Sequence, residues 1–243
     1  MKKLKQGKLY GVGVGPGDPE LLTLKALRIL QQVSVVFIPK SSPEKRSLAL
    51  SIVSDVLNGE QKQEELILPM TRDHSELEKY WQIAAEQIFN YINAGYECAF
   101  VTLGDPGTYS TFSYLKRYLQ AMDENIQIEQ IPGISAINAL SANSGEPLAE
   151  GEESLLIANA LKPREEMAEL LDRYENLVLL KAGRSAGEIA GLLKEKNFRG
   201  QIVFASRIGF DDAYYTTNLN EIENDMHDYL STFFIKNNGG GFK

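Results

Sequence analysis

A near-continuous apolar run, ECAFVTL at 97–103, narrows the choice of folds more than anything else in this sequence. Successive side chains of a strand point to opposite faces. A strand that is apolar at nearly every position therefore needs cover on both, as at the centre of a mostly parallel sheet. The segments around it follow the same plan. Residues 8–14, 34–38 and 126–131 read as further short strands. Stretches at 19–31, 47–57, 77–94, 109–122 and 135–144 read as helices, so the first part of the chain is an alternating α/β unit. The first helix is marked by its start: Asp18 suits the cap, Pro19 the first position and Glu20 the positive end of the dipole. Leu21, Leu24, Leu27 and Leu30 follow at helical spacing and are expected to face the sheet.

Residues 145–153, GEPLAEGEE, are polar and carry no apolar period. They are expected to link a first domain at 1–144 to a second at 154–236. In the second domain, 154–158, 177–181 and 201–206 read as strands, with helices at 164–174 and 185–196 between them. Two later strands, 214–219 and 232–236, are joined by a short connection, which predicts antiparallel pairing there. Residues 237–243, NNGGGFK, read as a flexible tail.

The 243 residues carry 25 basic against 33 acidic side chains, a formal net charge of −8, which argues against non-specific binding to nucleic acid. The single cysteine, Cys98, lies in the apolar run, allows no internal disulfide and points to a reducing, cytoplasmic setting. His74 and His227 stand far apart without ligand-spaced companions, so no metal site is expected. Lys2, Lys3 and Lys5 are not followed by the apolar core of a leader, and no apolar stretch approaches the ~20 residues of a membrane span.

GVGVGPGDPELLT, 11–23, follows a strand and opens a helix as a dinucleotide fingerprint does, but it departs in detail. The third glycine of G-x-G-x-x-G is Pro16 when counted from Gly11 and Asp18 when counted from Gly13. The second strand ends Ile38-Pro39-Lys40, with no carboxylate for a ribose. There is no G-x-x-x-x-G-K-[ST], and Asp18 would repel a pyrophosphate from the helix mouth. The turn therefore suits a ligand that is not strongly anionic, or is simply a tight strand-to-helix connection. LGDPGTYSTF, 103–112, and IPGISA, 131–136, repeat the arrangement. Three such turns on the carboxyl edge of one sheet outline a cleft.

With LVLLKAGR at 177–184, the motifs GVGVGPGDPELLTLKA, TLGDPGTYSTFSYL and IPGISA make the sequence similar to the tetrapyrrole (corrin/porphyrin) methylases, a family of S-adenosylmethionine-dependent enzymes. More narrowly, LPMTRD at 68–73, Trp81 with Ala84 and Ala85, GDPGTYSTFSYL, and PLAEGEESL at 147–155 resemble members that methylate C-20 of precorrin-2 or cobalt-factor II in cobalamin synthesis. Ala205-Ser206-Arg207-Ile208-Gly209 departs from the Glu-Arg-Cys-Gly expected of that subfamily. The resemblance implies two α/β domains, the N-terminal sheet mostly parallel and the C-terminal one mixed, with the cofactor in the cleft between them. It also implies a homodimer. It places S-adenosylmethionine, and the product S-adenosylhomocysteine, against Pro16, Leu103, Gly104, Asp105, Thr108, Ser135, Ala136 and Lys181.

A sulfonium with a zwitterionic tail and a neutral adenosine calls for backbone groups and a carboxylate, and Asp105 is the natural partner for its ribose or amino group, besides being a good helix cap. Methyl transfer from a sulfonium is an in-line displacement that needs positioning more than a strong nucleophile, in keeping with a sequence that shows no Ser/His/Asp or Cys/His constellation. The acceptor carbon must then lose a proton. Asp18, Tyr109 and Tyr114 lie near the turns, and none is singled out as the base. A tetrapyrrole carries many carboxylates, so an acidic protein has to bind it through local cations. Lys40, Lys45 and Arg46 after the second strand, Arg72 in the PMTRD segment and Arg184 after LLKAG are the candidates, with Arg72 foremost and His74 beside it. Other readings are the same fold acting on uroporphyrinogen, a diphthamide precursor or ribosomal RNA, a dinucleotide-dependent oxidoreductase, and a ligand-binding subunit without catalysis.

Overall fold

The apolar runs pair as parallel strands. In the computed structural model, which describes residues 6–71, 73–224 and 227–237, β1 (Lys8–Gly13), β2 (Val35–Lys40), β3 (Lys62–Ile67), β4 (Cys98–Thr102) and β5 (Gln127–Ile131) form one sheet in the order β3-β2-β4-β1-β5. All its pairings are parallel. Every residue of β4 is buried, as the 97–103 run requires of a strand covered on both faces. The helices α1 (Leu24–Gln32), α2 (Leu48–Val53), α3 (His74–Asn93) and α4 (Phe112–Met122) fill the connections. On one face Trp81, Ala84, Ala85, Ile88 and Ile92 of α3 and Phe112, Leu115 and Leu119 of α4 pack with Phe37 and Phe100 of the sheet. Cys98 is buried in the same cluster, and burial pushes its thiol up to about 12.

Three local readings need correction. The helix expected over 19–31 is a 3-10 turn, Pro19–Leu21, followed by α1. Leu22 and Thr23 between them are extended, because the Thr23 hydroxyl accepts from the Ala26 N–H and starts a new helix. This shifts the buried face to Ala26, Ile29 and Leu30 and leaves Leu24 85% exposed. Strand β3, KQEELI, was not expected, since its charges hide any apolar alternation. It is held by pairing with β2, by Lys40–Glu65 at 2.9 Å and by the Tyr91 hydroxyl donating to Glu64 at 2.6 Å. Residues 109–111 stay outside α4, with Tyr109 at φ +50°.

Contacts divide the chain into two compact units, Met1–Ser135 and Ala136–Lys243. α5 (Ala136–Ser144) thus falls with the second unit, where it packs on the last strand. The second sheet contains β6 (Leu155–Asn159), β7 (Asn176–Leu180), β8 (Gln201–Ser206), β9 (Tyr214–Thr216) and β10 (Ser231–Lys236) in the order β6-β7-β10-β8-β9. β6 and β7 are parallel, while β10 runs antiparallel to β7 and β8, so the sheet is mixed. The pairing expected between the last two strands does not form. β8 lies between them and is antiparallel to both. The strand expected over 214–219 stops at Thr216, where the Thr216 hydroxyl accepts from the Asn218 N–H and leads into α8 (Leu219–Asn224). α6 (Arg164–Arg173) and α7 (Ala186–Glu195) complete the unit, whose core includes Met167, Leu171, Leu179, Ile189, Phe204 and Phe233. Segment 145–153 is tied to this sheet through Glu150 and Glu153, 3.2 and 3.3 Å from the Lys236 ammonium. The expected tail lies, beyond Asn237, outside the described residues.

Candidate functional site

β4, β1 and β5 are neighbours, so the glycine turns that end them are brought side by side at the carboxyl edge of the first sheet. Beyond the regular ladder, the Gly104 N–H donates to the Gly15 carbonyl at 2.8 Å and the Val14 N–H to the Thr102 carbonyl at 2.9 Å. On the other side, a Cβ built at Gly133 would stand 2.2 Å from the Gly104 oxygen and 2.7 Å from the Gly13 carbonyl carbon. The three turns therefore meet backbone against backbone, a contact closed to any side chain. Asp105 clasps them: one carboxylate oxygen accepts from the Gly107 N–H at 2.8 Å, the other from the Gly133 N–H at 3.1 Å. It does not cap α4, which starts at Phe112.

Gly104 has φ +65°, and a Cβ there would meet only the Ser135 Cα, at 3.8 Å. The backbone is thus open to an approaching group where Gly104 and Ser135 face each other. Among the described residues no cation pairs with Asp105. A carboxylate beside exposed backbone fits a ligand with hydroxyls or positive charge and does not fit a phosphate, so the residues suit S-adenosylmethionine. Loop 103–111 is pinned inside by Ser110, whose hydroxyl lies 2.9 Å from that of Thr102 and accepts from the Phe112 N–H at 3.1 Å.

Of the residues expected at a cofactor, Pro16 is buried after β1, and Leu103, Gly104, Asp105 and Thr108 share the loop after β4. Thr108 donates its N–H to the Asp105 carbonyl at 3.2 Å. Ser135 and Ala136 follow β5 at the start of α5. Lys181 belongs to the second unit, just past β7, with φ +61° and its ammonium 5.5 Å from the Tyr229 ring centroid. Asp18 accepts from the Glu20 N–H at 2.8 Å in the 3-10 turn.

Among the expected substrate cations, Lys40 is committed: its ammonium contacts Glu65 at 2.9 Å and the Pro43 carbonyl at 2.7 Å. Arg46 is exposed between β2 and α2, and Arg184 is exposed in the 3-10 turn Gly183–Ser185. Arg72 lies outside the described residues, and His74 is exposed at the first position of α3. In the divergent segment Arg207, at φ +53°, places its Nε 2.7 Å from both carboxylate oxygens of Asp212 and its guanidinium 4.8 Å from the Phe210 ring.

Sequence reasoning missed one constellation. Trp81 of α3 stacks on Tyr114 of α4 with centroids 4.1 Å apart and planes 13° apart, and the Arg117 guanidinium lies 4.8 Å from the same tyrosine ring. Its signal was present in the i, i+3 spacing of Tyr114 and Arg117 on one helix face.

A parallel sheet followed by a mixed one, with strand-end glycine turns built for close approach, defines an α/β protein with a candidate ligand site at the carboxyl edge of its first sheet. Residues 8–223 match the family described as Tetrapyrrole (Corrin/Porphyrin) Methylases, and the chain belongs to it. It is 37% identical over 238 residues to the protein named Probable cobalt-precorrin-2 C(20)-methyltransferase of Methanocaldococcus jannaschii, covering 97% of this chain and 98% of that one. It is 31% identical over 230 residues to the Cobalt-precorrin-2 C(20)-methyltransferase of Salmonella typhimurium, covering 94% and 96%. Among solved structures, a uroporphyrin-III C-methyl transferase from Thermus thermophilus complexed with S-adenyl homocysteine superposes with a TM-score of 0.65 at 20% identity, covering 94% of this chain and 97% of that one, which bears on the fold alone.

Proposed function

We propose that this chain transfers a methyl group from S-adenosylmethionine to C-20 of precorrin-2 or its cobalt-bearing counterpart, in cobalamin biosynthesis. The observation that carries the reading is its near full-length identity, at 37% and 31%, to proteins named for the cobalt-bearing substrate. The cofactor residues of the proposal are Pro16, Leu103, Gly104, Asp105, Thr108, Ser135, Ala136 and Lys181. The substrate cations are Arg72, Arg46 and Arg184, since Lys40 is already paired. When bound, S-adenosylmethionine supplies an activated methyl that leaves a neutral thioether as the new C–C bond forms. What the chain contributes is placement: room at Gly104, where a Cβ would meet only the Ser135 Cα, lets a ligand come close, and the Asp105 carboxylate is offered to a hydroxyl or ammonium group while it holds the turns together. A homodimer in the cytoplasm belongs to the same proposal. It is consistent with a single buried cysteine and with the absence, among the described residues, of any helix long and apolar enough to cross a membrane.

The test is anaerobic incubation with S-adenosylmethionine and either metal-free or cobalt-loaded dihydrosirohydrochlorin, read by mass and NMR. One methyl at C-20 is expected, and no addition to either acceptor while S-adenosylhomocysteine still binds overturns the acceptor assignment. Asp105→Ala is expected to weaken S-adenosylhomocysteine binding about tenfold with circular dichroism unchanged, on the ~1.5–3 kcal/mol scale of a hydrogen bond to a charged group. Wild-type affinity by calorimetry removes Asp105 from the site.

A further inference from the structure

Most large apolar side chains exposed in the first unit follow a strand's carboxyl end. Met70 is 64% exposed in the loop that opens α3, Tyr109 is 48% exposed in the loop that opens α4, and Tyr114 is 40% exposed in the first turn of α4. α3 and α4 pack on each other, and the Trp81–Tyr114 stack joins them near these ends. Parallel stacking at 4.1 Å fixes the tyrosine ring. Arg117 is fixed in turn: its guanidinium lies 4.8 Å from that ring and its Nε donates to the Ser113 carbonyl at 3.3 Å. Among the described residues it has no carboxylate partner. A guanidinium held by a ring and a backbone carbonyl, with its terminal nitrogens unspent, is prepared for a bidentate carboxylate.

We propose that this surface, with Arg117 on the Trp81–Tyr114 stack, receives the tetrapyrrole, Met70, Tyr109 and the exposed edge of Tyr114 meeting its apolar body and Arg117 one of its peripheral carboxylates. The inference rests on the reading of the chain as a tetrapyrrole methylase acting on a free macrocycle. Two features single out that occupant. The loop that carries Tyr109 is the one that carries Gly104 and Asp105, so the surface continues from the proposed cofactor turns along one loop. The pairing of exposed rings with an unpaired fixed cation matches a conjugated polycarboxylate, whereas a purely apolar partner would leave the guanidinium desolvated and unpaired. Arg117 is thereby a substrate-positioning residue that reasoning on loop cations alone passes over, because it lies within a helix.

Trp81 is the only tryptophan of the chain, which supplies a binding signal independent of turnover. The full chain and the variants Arg117→Gln, Tyr114→Leu and, as a control, Arg173→Gln are titrated with uroporphyrin III, a stable carboxylate-rich tetrapyrrole, by quenching of Trp81 emission. S-adenosylhomocysteine affinity is measured by calorimetry and mass by light scattering. Arg117→Gln and Tyr114→Leu are each expected to weaken uroporphyrin binding about tenfold, while S-adenosylhomocysteine affinity, mass and the Arg173→Gln titration stay at wild-type values. The loss in Arg117→Gln shrinks as salt rises and screens the wild-type contact. In the methylation assay both variants raise the acceptor KM with kcat nearly unchanged. Unaltered uroporphyrin affinity in both variants overturns the proposal, as does failure of the wild type to bind. A changed mass with retained affinity also overturns it and assigns the surface to contact between copies of the chain. If the wild type binds uroporphyrin through Arg117 and methylates neither precorrin-2 form, the function reading fails and this site stands. If it methylates C-20 with the same KM in both variants, the reading stands and this site fails.

Discussion

Gly13 and Gly133 stand so close that neither tolerates a side chain, and this makes the meeting of three strand ends a property of single residues. A Cβ at Gly133 faces the carbonyl of Gly104 and the backbone of Gly13, neither of which can swing aside as a flexible side chain would. Gly133→Ala is expected to destabilise the protein by on the order of 3 kcal/mol and to abolish S-adenosylhomocysteine binding, measured by urea denaturation and calorimetry. Gly145→Ala is the control. At φ +73° with nothing within 4 Å of its Cβ, it is expected to cost only about 1 kcal/mol of backbone strain. Equal losses in the two variants would show that packing at Gly133 is not what the turns depend on. Asp105 was legible as a ligand partner or a cap. That it joins Gly107 to Gly133 was not legible, because the second partner arrives from another strand.

α1, α2 and α3 start where a side chain supplies the first hydrogen bond, and α1 shows how this overrides an apolar period. Asp18 and Thr23, five residues apart, each satisfy an N–H group, those of Glu20 and Ala26, so the chain makes a short 3-10 turn and then a helix. Thr23→Ala is expected to cost about 1 kcal/mol in urea denaturation, the usual loss for a helix cap. Asp18→Ala, at the head of a three-residue turn, is expected to cost less, and the reverse ranking would show that Asp18 starts the helix after all. α3 was read from residue 77 and starts at His74 because the Asp73 carboxylate accepts from the Ser75 and Glu76 N–H groups, a signal present in the sequence four residues earlier. β3 is the opposite case. Nothing in KQEELI marks a strand until β2 presents an open edge to pair with it and Lys40 and Tyr91 present partners for Glu65 and Glu64.

Across the whole molecule, carboxylates that gain partners on folding set the acid limit of stability. Glu129 is drawn down to about 2 by hydrogen bonds from Lys25 and then Lys8. Glu64 is lowered by Tyr91 and Lys62, Asp73 by Ser75 and the first N–H groups of α3, Glu153 by the Glu150 N–H and Lys236, and Asp212 by Arg207. Each is more acidic folded than unfolded. Its contribution is therefore complete above the unfolded value, near 4 for Asp and Glu, and is lost as pH falls through the folded value. The midpoint of thermal unfolding is expected to hold between pH 6 and 5 and to fall steadily from about pH 4.5 towards 2. Glu129→Gln should reduce the fall, and an undiminished fall would locate the acid sensitivity elsewhere. What the chain determines by itself is the local part of this protein: apolar runs long enough to be buried on both faces, caps that open helices, and glycine turns at strand ends, all set by residues within a few positions of one another. That sufficed for the α/β class, the parallel first sheet and the family, while the mixed second sheet was implied only by the family resemblance. Tertiary structure alone decided that β8 separates β9 from β10, that Lys40 is spent on Glu65, that Asp105 ties two turns together, and that Trp81, Tyr114 and Arg117 form one stack. Each of these depends on which distant segment arrives opposite, and a pattern read along one stretch of chain holds no record of its partner.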